Sequence, residues 1–322
     1  MYNETFARKI KEEIEKLKKV EFIYEIEHTD WVSPIVVIPK KKEKLRVCVN
    51  LKKVNAATIR RDNYPLPITE HVIERVAGKE AYSFLDGFAS GYNQLLIDPK
   101  DQHKTVFATE WDIFAYKVMP FGLANAPATF QRFMNHAFKE YLRNFLEVYM
   151  DDLCIHSSIR ADHFEHLKKV FEKCRLYKIC LNPEKCIFMT RQGKILEHIV
   201  SKNDIPTDMD KIHVIADLLR PTTVKGVQGF MVHCGYYRRF NYMYAIIAKP
   251  MYGLITLFVW TDECKESFNK LKQTLTLAPI LKAPNWNKIF HIHVDASNFA
   301  IGCILAQPGD GNIDFCITYA SR

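Results

Sequence analysis

Glycine is scarce, 12 residues of 322, and no motif repeats along the chain, which excludes collagenous, elastic and solenoid architectures. No Cys-x-x-Cys pair occurs among the nine cysteines, and Cys174, Cys180 and Cys186 fall six residues apart. That spacing suits neither a zinc ribbon nor a secreted disulfide framework, so reduced, mostly core thiols are expected. The opening MYNETFARKIKEEIEKLKK is charged and lacks the apolar core of a signal peptide. The greasiest window, Tyr242 to Trp260, is interrupted by Lys249 and Pro250 and reads as buried helix and loop rather than a membrane span. What is present is ordinary: 48% hydrophobic and 25% charged residues exclude wholesale disorder, and the length implies two or three domains. A soluble, intracellular, multidomain protein is expected, not secreted and without a membrane partner.

Charge is unevenly placed. From Lys40 to Arg61 nine basic residues (Lys40, Lys41, Lys42, Lys44, Arg46, Lys52, Lys53, Arg60, Arg61) face one acid, Glu43, so this stretch alone accounts for the net charge of +8. Such a stripe suits a polyanion, either nucleic acid or a triphosphate. Taken alone it equally describes a solvated lysine-rich hairpin.

Hydrophobic periodicity places the elements. Phe6, Ile10, Ile14 and Leu17 share one face of a helix over 4–20. Ser33 to Pro39 and Leu45 to Val49 read as a hairpin, and a short helix near 69–77 precedes a buried strand, Tyr82 to Asp86, that ends on a carboxylate. A second hairpin is predicted over Lys104–Thr109 and Ile113–Met119. Asn125 followed by Pro127 opens a helix running to about Asn144. Two β-type runs, Phe145–Tyr149 and Leu153–His156, enclose Met150-Asp151-Asp152; a helix over 160–178 follows, then a hairpin turning across Arg191-Gln-Gly. Beyond Ser201 the pattern is helical near 207–219, 222–237 and 262–277, returning to strands from Lys288. Boundaries near 201 and 286 divide the chain into 1–200, 201–285 and 286–322.

Tyr149-Met-Asp-Asp152 is the sharpest chemical feature. Successive side chains on a strand point to opposite faces, so only one aspartate of the pair can fully face a target shared with a neighbouring strand. Asp86, at the end of its own apolar strand, is the natural neighbour. Clustered carboxylates repel unless a cation neutralises them, and hard oxygen donors select Mg²⁺. Two such ions about 3.5–4 Å apart stabilise an in-line phosphoryl displacement. An isolated Asp-Asp is otherwise an ordinary hairpin turn.

Leu85-Asp86, Ser90-Gly-Tyr-Asn-Gln94, Met119-Pro-Phe-Gly-Leu-Ala-Asn-Ala-Pro-Ala-Thr-Phe-Gln131 and Tyr149-Met-Asp-Asp152, in this order, resemble a reverse transcriptase. More specifically, the chain resembles the Pol polyprotein of gypsy-type LTR retrotransposons of plant-like kind. Leu45-Arg-Val-Cys-Val-Asn-Leu-Lys-Lys-Val-Asn55, Gly235-Tyr-Tyr-Arg-Arg-Phe240 and Phe258-Val-Trp-Thr261 extend the likeness. His293-Val-Asp-Ala-Ser297 and Tyr319-Ala-Ser-Arg322 match the opening of an RNase H domain. The fold this implies is α+β, a right-hand polymerase with fingers, a palm carrying an antiparallel sheet and a helical thumb, followed by a truncated RNase H-like α/β domain.

The resemblance implies catalytic, metal-holding roles for Asp86, Asp151 and Asp152, with two Mg²⁺ ions, or Mn²⁺ in their place. Arg46 and one lysine of Lys40–Lys44 would grip the incoming triphosphate. Tyr92 would be the aromatic gate that excludes a ribose 2′-hydroxyl; read by itself it is equally a core tyrosine beside Gly91. Phe121 and Gly122 would line the nucleotide pocket, whereas Gln131 reads equally as a helix-surface residue and is left out of the site. The partners implied are an RNA template, a DNA primer and dNTPs, in a cytoplasmic virus-like particle with access to the nucleus; protease and integrase parts are absent from this chain.

Several positions depart from the family. Asn50 replaces a usual aspartate, and Glu197 and Val232 replace usual glycines. Extra residues near Arg61 and at Ala89 put Tyr92 six positions after Asp86 rather than five. Glu197, in a hairpin that grips the primer, is expected to weaken primer binding most. The alternative reading is a catalytically decayed nucleic-acid-binding fragment. RNase H activity would rest on Asp295 alone, with Asp310 and Asp314 beside a Gly-rich turn unable to substitute, so none is expected.

Overall fold

The computed structural model describes residues 4–39, 45–87, 91–298, 300–309, 311 and 313–322, excepting the side chains of Glu4, Thr5, Phe6, Pro39, Leu45 and Arg46. Helix α1 (Glu4–Lys19) leads into β1 (Ile23–Glu25), β2 (Ser33–Pro39), β3 (Leu45–Val49), α2 (Lys52–Ala57), α3 (Thr69–Val76) and β4 (Ala81–Asp86). Next come α4 (Pro99–Gln102), β5 (Phe107–Ala108), β6 (Ile113–Tyr116), α5 (Ala126–Ala137), β7 (Leu146–Tyr149), β8 (Asp152–Ser157), α6 (His163–Leu176) and β9 (Ile187–Thr190). The chain continues through β10 (Gln192–Ile195), β11 (His198–Ser201), β12 (Asp204–Ile205), α7 (Met209–Asp217), α8 (Val224–Tyr236), α9 (Tyr244–Thr256) and α10 (Asp262–Thr276). It closes with β13 (Leu281–Lys282), β14 (His291–Ala296), β15 (Ile301–Pro308) and β16 (Asp314–Ser321). Two compact units form: Met1–Pro67, Leu85–Ile155 and Phe164–Ile187 make the first; Ile68–Phe84, His156–His163 and Phe188–Arg322 make the second.

In the first unit a five-stranded sheet runs β1-β6-β5-β2-β3. The β2–β3 hairpin forms as predicted, with Ile35 opposite Val49 and Val37 opposite Val47. Helix α1 packs its Ile10 and Ile14 into a core with Ile23, Val47, Val49, Phe107 and Phe114. Burying each such side chain stabilises by about 1.5–3 kcal/mol, enough to fix which face of α1 turns inward. Helix α5 starts at Ala126 as predicted but stops at Ala137 rather than near Asn144. Asn144 and Phe145 bond back to Tyr141 in turns, and Arg143 takes a left-handed φ of 65° that no helix continues through.

In the second unit the helical stretch behaves as its caps dictate. Thr223 and Thr261 accept hydrogen bonds from Gly226 and Cys264 backbone N–H groups, starting α8 and α10, and Asp208 does the same for α7 through Asp210. Helix α9 covers much of the apolar window and contains Pro250; among the described residues no helix is long and apolar enough to cross a membrane. The predicted hairpin across Arg191-Gln-Gly is displaced. Strands β10 and β11 pair with Ile195 opposite His198, so the turn is Leu196–Glu197, at φ 45° and 55°. Two left-handed residues match the twist of paired strands, a preference that overrides the glycine at 193. The chain closes on a three-stranded antiparallel sheet, β14-β15-β16.

Candidate active site

The Asp-Asp pair sits on a two-residue turn. Tyr149 pairs with Asp152, and Met150 between them takes φ 53°. A left-handed residue without glycine's freedom costs roughly 1–3 kcal/mol and persists only when its surroundings hold it. Gln131 does the holding. From α5, fully buried, its amide oxygen accepts the Met150 N–H at 2.7 Å, and its amide nitrogen donates to the Val148 carbonyl at 3.1 Å. The reading of Gln131 as a helix-surface residue is therefore corrected: α5 is packed on this side, and the amide is the brace of the turn. Its only signal in sequence was its place inside the longest of the family-like motifs.

Asp86 comes to the same place from the end of β4. The Gly87 N–H donates to the Asp151 carbonyl at 3.3 Å, and the Asn182 N–H donates to the Asp86 carbonyl at 2.9 Å. Gly91 allows this closeness: its φ is 61°, and an added Cβ would lie 3.0 Å from that of Asp151 and 3.1 Å from the Phe130 ring. Lys185, which no sequence argument singled out, spans the Asp86 carboxylate with Nζ at 3.0 and 2.9 Å from its two oxygens. Asp152 carries the cost of the crowding. Burial of its carboxyl, then Asp151 and Asp86, push its pKa up to about 6, while Lys185 opposes the rise. By surface area the Asp152 side chain is exposed; the protein crowds the carboxyl group itself, so the direction holds although solvent screens it.

An aromatic wall adjoins the carboxylates. The Tyr92 ring meets Phe121 and Phe130 edge-on at 5.2 and 5.4 Å, and its hydroxyl donates to the Met150 sulfur at 3.3 Å. Burial, then Asp151, raise its pKa. The inserted residue before it has thus not removed Tyr92 from the neighbourhood of Asp151. Gly122 takes φ 96°, with its carbonyl accepting from Asn55 Nδ2 at 2.7 Å, and the same amide's oxygen accepts the Ala124 N–H at 2.8 Å. Asn55, absent from the predicted site, thereby fixes the loop carrying Phe121 and Gly122. The Arg46 side chain, Lys40 to Lys44, Ala89 and Ser90 lie outside the described residues, and so does Asp310. Asn50 accepts the Lys52 N–H.

In the second unit the Leu196–Glu197 turn is held by two tyrosines: Tyr236 donates to the Leu196 carbonyl and Tyr237 to that of Glu197, at 2.5 and 3.1 Å. The Glu197 carboxylate lies 2.5 Å from Lys211 Nζ, a partner on α7 that the sequence did not reveal. Val232 is exposed on α8. Asp295 is an exposed residue of β14.

Comparison with known proteins finds relatives in sequence and in fold. The sequence profile described as reverse transcriptase (RNA-dependent DNA polymerase) matches residues 38–205, and that of an RNase H-like domain found in reverse transcriptase matches 260–322. The retrovirus-related Pol polyprotein from transposon 297 of Drosophila melanogaster is 36% identical over 86% of this chain and 27% of its own length. That from transposon opus of the same organism is 33% identical over 90% and 30%. The chain thus spans about a third or less of these relatives. A foamy viral protease–reverse transcriptase in complex with double-stranded DNA is similar in fold, with TM-score 0.85 and 20% identity over 98% of this chain and 55% of that one. The foamy viral protein with an RNA/DNA hybrid gives TM-score 0.83 and 20% identity over 100% and 43%.

Proposed function

Because the chain belongs to the reverse transcriptase family, we propose that it is the RNA-directed DNA polymerase part of a retrotransposon Pol polyprotein, adding deoxynucleotides to a primer 3′-hydroxyl along an RNA template. The observation that carries this reading is the meeting of Asp86 with the braced Asp151–Asp152 turn. The donor chemistry suits a divalent cation: the candidate ligands are all carboxylates, and Asp151 and Asp86 add to the burial that raises the Asp152 pKa. Asp86 and Asp151 would hold two Mg²⁺ ions, with Asp152 beside them. Bound there, the cations supply the charge neutralisation that an in-line phosphoryl displacement requires.

The chain's own groups do the positioning. Gln131 keeps Asp151 and Asp152 on a turn that would otherwise relax. Lys185 supplies positive charge to Asp86, at the carboxylate a cation would share. The rings of Tyr92 and Phe121 wall the space beside Asp151, where an extra ribose hydroxyl would collide. The foamy viral proteins of like fold were solved with double-stranded DNA and with an RNA/DNA hybrid, which supports a template–primer duplex as partner here. Its binding would rest on phosphate contacts, sequence-tolerant and weakened by salt.

The test is primer extension on an RNA template with purified chain, dNTPs and Mg²⁺, beside Asp151→Asn. Extension by the wild type that falls to background in the variant is expected. Extension undiminished by the substitution would overturn the assignment.

A further inference from the structure

We propose that His291, His293 and Asp314 form a zinc-binding site that staples β14 to β16 across the middle strand of the terminal sheet. The three side chains come from two strands that do not pair with each other; both pair with β15. His291 and His293 are two apart on β14, so their rings project from the same face. Their ring nitrogens converge on one oxygen: His291 Nδ1 and His293 Nε2 each lie 2.8 Å from Asp314 Oδ2.

The register puts all three side chains on one face of the sheet, with His293 opposite Ile304 of β15. His291 faces Ala306 on β15, and Asp314 faces Pro308 one step along the same face. Ala306, nearly fully buried, presents only a methyl group between them. Two strands separated by a third lie about 10 Å apart, and the three side chains lean across β15 to make their contacts. Among the described residues this is the group of three metal-ligating side chains whose donor atoms all lie within 4.8 Å of one another.

The donor chemistry separates this site from the aspartate cluster. Two imidazole nitrogens and one carboxylate oxygen suit Zn²⁺, which binds such atoms at about 2.0–2.2 Å with tetrahedral geometry, whereas Mg²⁺ prefers oxygen alone. Tetrahedral donors around zinc stand roughly 3.3 Å apart, so the present contacts need to open by about half an ångström. The side chains are free to do so, since His291 and His293 remain 41% and 56% exposed. That exposure also leaves a fourth position for water.

Equilibrium dialysis of the chelator-stripped chain against Zn²⁺ tests the proposal, with His293→Gln, His291→Ala and Asp314→Asn as variants and circular dichroism confirming that each folds. One zinc per chain is expected at this site, with affinity at least about tenfold lower in each variant; even changes outside a metal's direct ligands cost about 10–100-fold. Co²⁺ in place of Zn²⁺ should give visible bands without thiolate charge transfer, excluding the nine cysteines as ligands. Zinc affinity unchanged in all three variants, no binding by the wild type, or a thiolate-dominated Co²⁺ spectrum would overturn the staple.

Discussion

Lys185 Nζ bridges both carboxylate oxygens of Asp86, at 3.0 and 2.9 Å, joining residues 99 positions apart in the chain. A lysine in this position competes with any divalent cation for the same oxygens. Its side chain is 60% exposed, so solvent weakens the competition without abolishing it. Lys185→Met should therefore tighten Mn²⁺ or Mg²⁺ binding by a few-fold, as measured by calorimetry on the chain without nucleic acid. Equal or weaker cation binding would show that the contact does not oppose metal loading.

Gln131→Leu should lower stability by about 1–3 kcal/mol, the cost of leaving the buried Val148 carbonyl without a donor and the part-buried Met150 N–H without an acceptor. Freed from its brace, the turn no longer positions Asp151 and Asp152. The rate of extension at saturating dNTP should fall more than the apparent affinity for dNTP. A stable variant of normal rate would show that packing alone holds the turn.

Acid should act on Asp152 in two opposed ways. With its pKa lifted to about 6, the carboxyl loses its charge as pH drops through that value, so cation binding and extension should decline below about pH 6. Stability of the cation-free chain runs the other way. The folded pKa lies above the ordinary 3.8, so the folded state holds the proton more tightly. The charged carboxylate consequently costs stability above about pH 6, a cost that disappears as pH falls towards 4. Thermal unfolding of the wild type and Asp152→Asn across this range checks the sign: the variant should be the more stable at pH 7, and the difference should shrink in acid.

Tyr92→Ala should raise ribonucleotide use relative to deoxynucleotide, because the ring that stands between Phe121 and Phe130 is lost while the carboxylates stay in place. Competitive incorporation assays read the ratio directly. Unaltered discrimination would assign Tyr92 to packing.

Glu197→Gly should change duplex affinity by well under tenfold. The carboxylate expected to repel primer phosphates is paired with Lys211, and removing it also frees Lys211. Glycine suits the φ of 55° better than glutamate does, so thermal stability should rise slightly or hold. A tenfold or larger gain in affinity at low salt would mean that the charge reaches the duplex despite its partner.

The sequence by itself determined the order of elements, the hairpins of the first unit, the helices after Ser201 and the family to which the motifs belong. These are carried by local periodicity, caps and the spacing of short motifs, which depend on neighbours a few residues away. For that reason Asp86, Asp151, Tyr92 and Gly122 could be singled out from the sequence as candidates. Only the tertiary structure decided that Gln131 turns inward to the Met150 amide, that Lys185 reaches Asp86, that Glu197 rests on Lys211 and that Asp314 stands over two histidines. Each of these contacts joins side chains whose meeting depends on how distant strands and helices pack. The choice of turn at Leu196–Glu197 over the nearby glycine has the same origin: pairing of β10 with β11 along four residues outweighs the preference of any single residue for a turn.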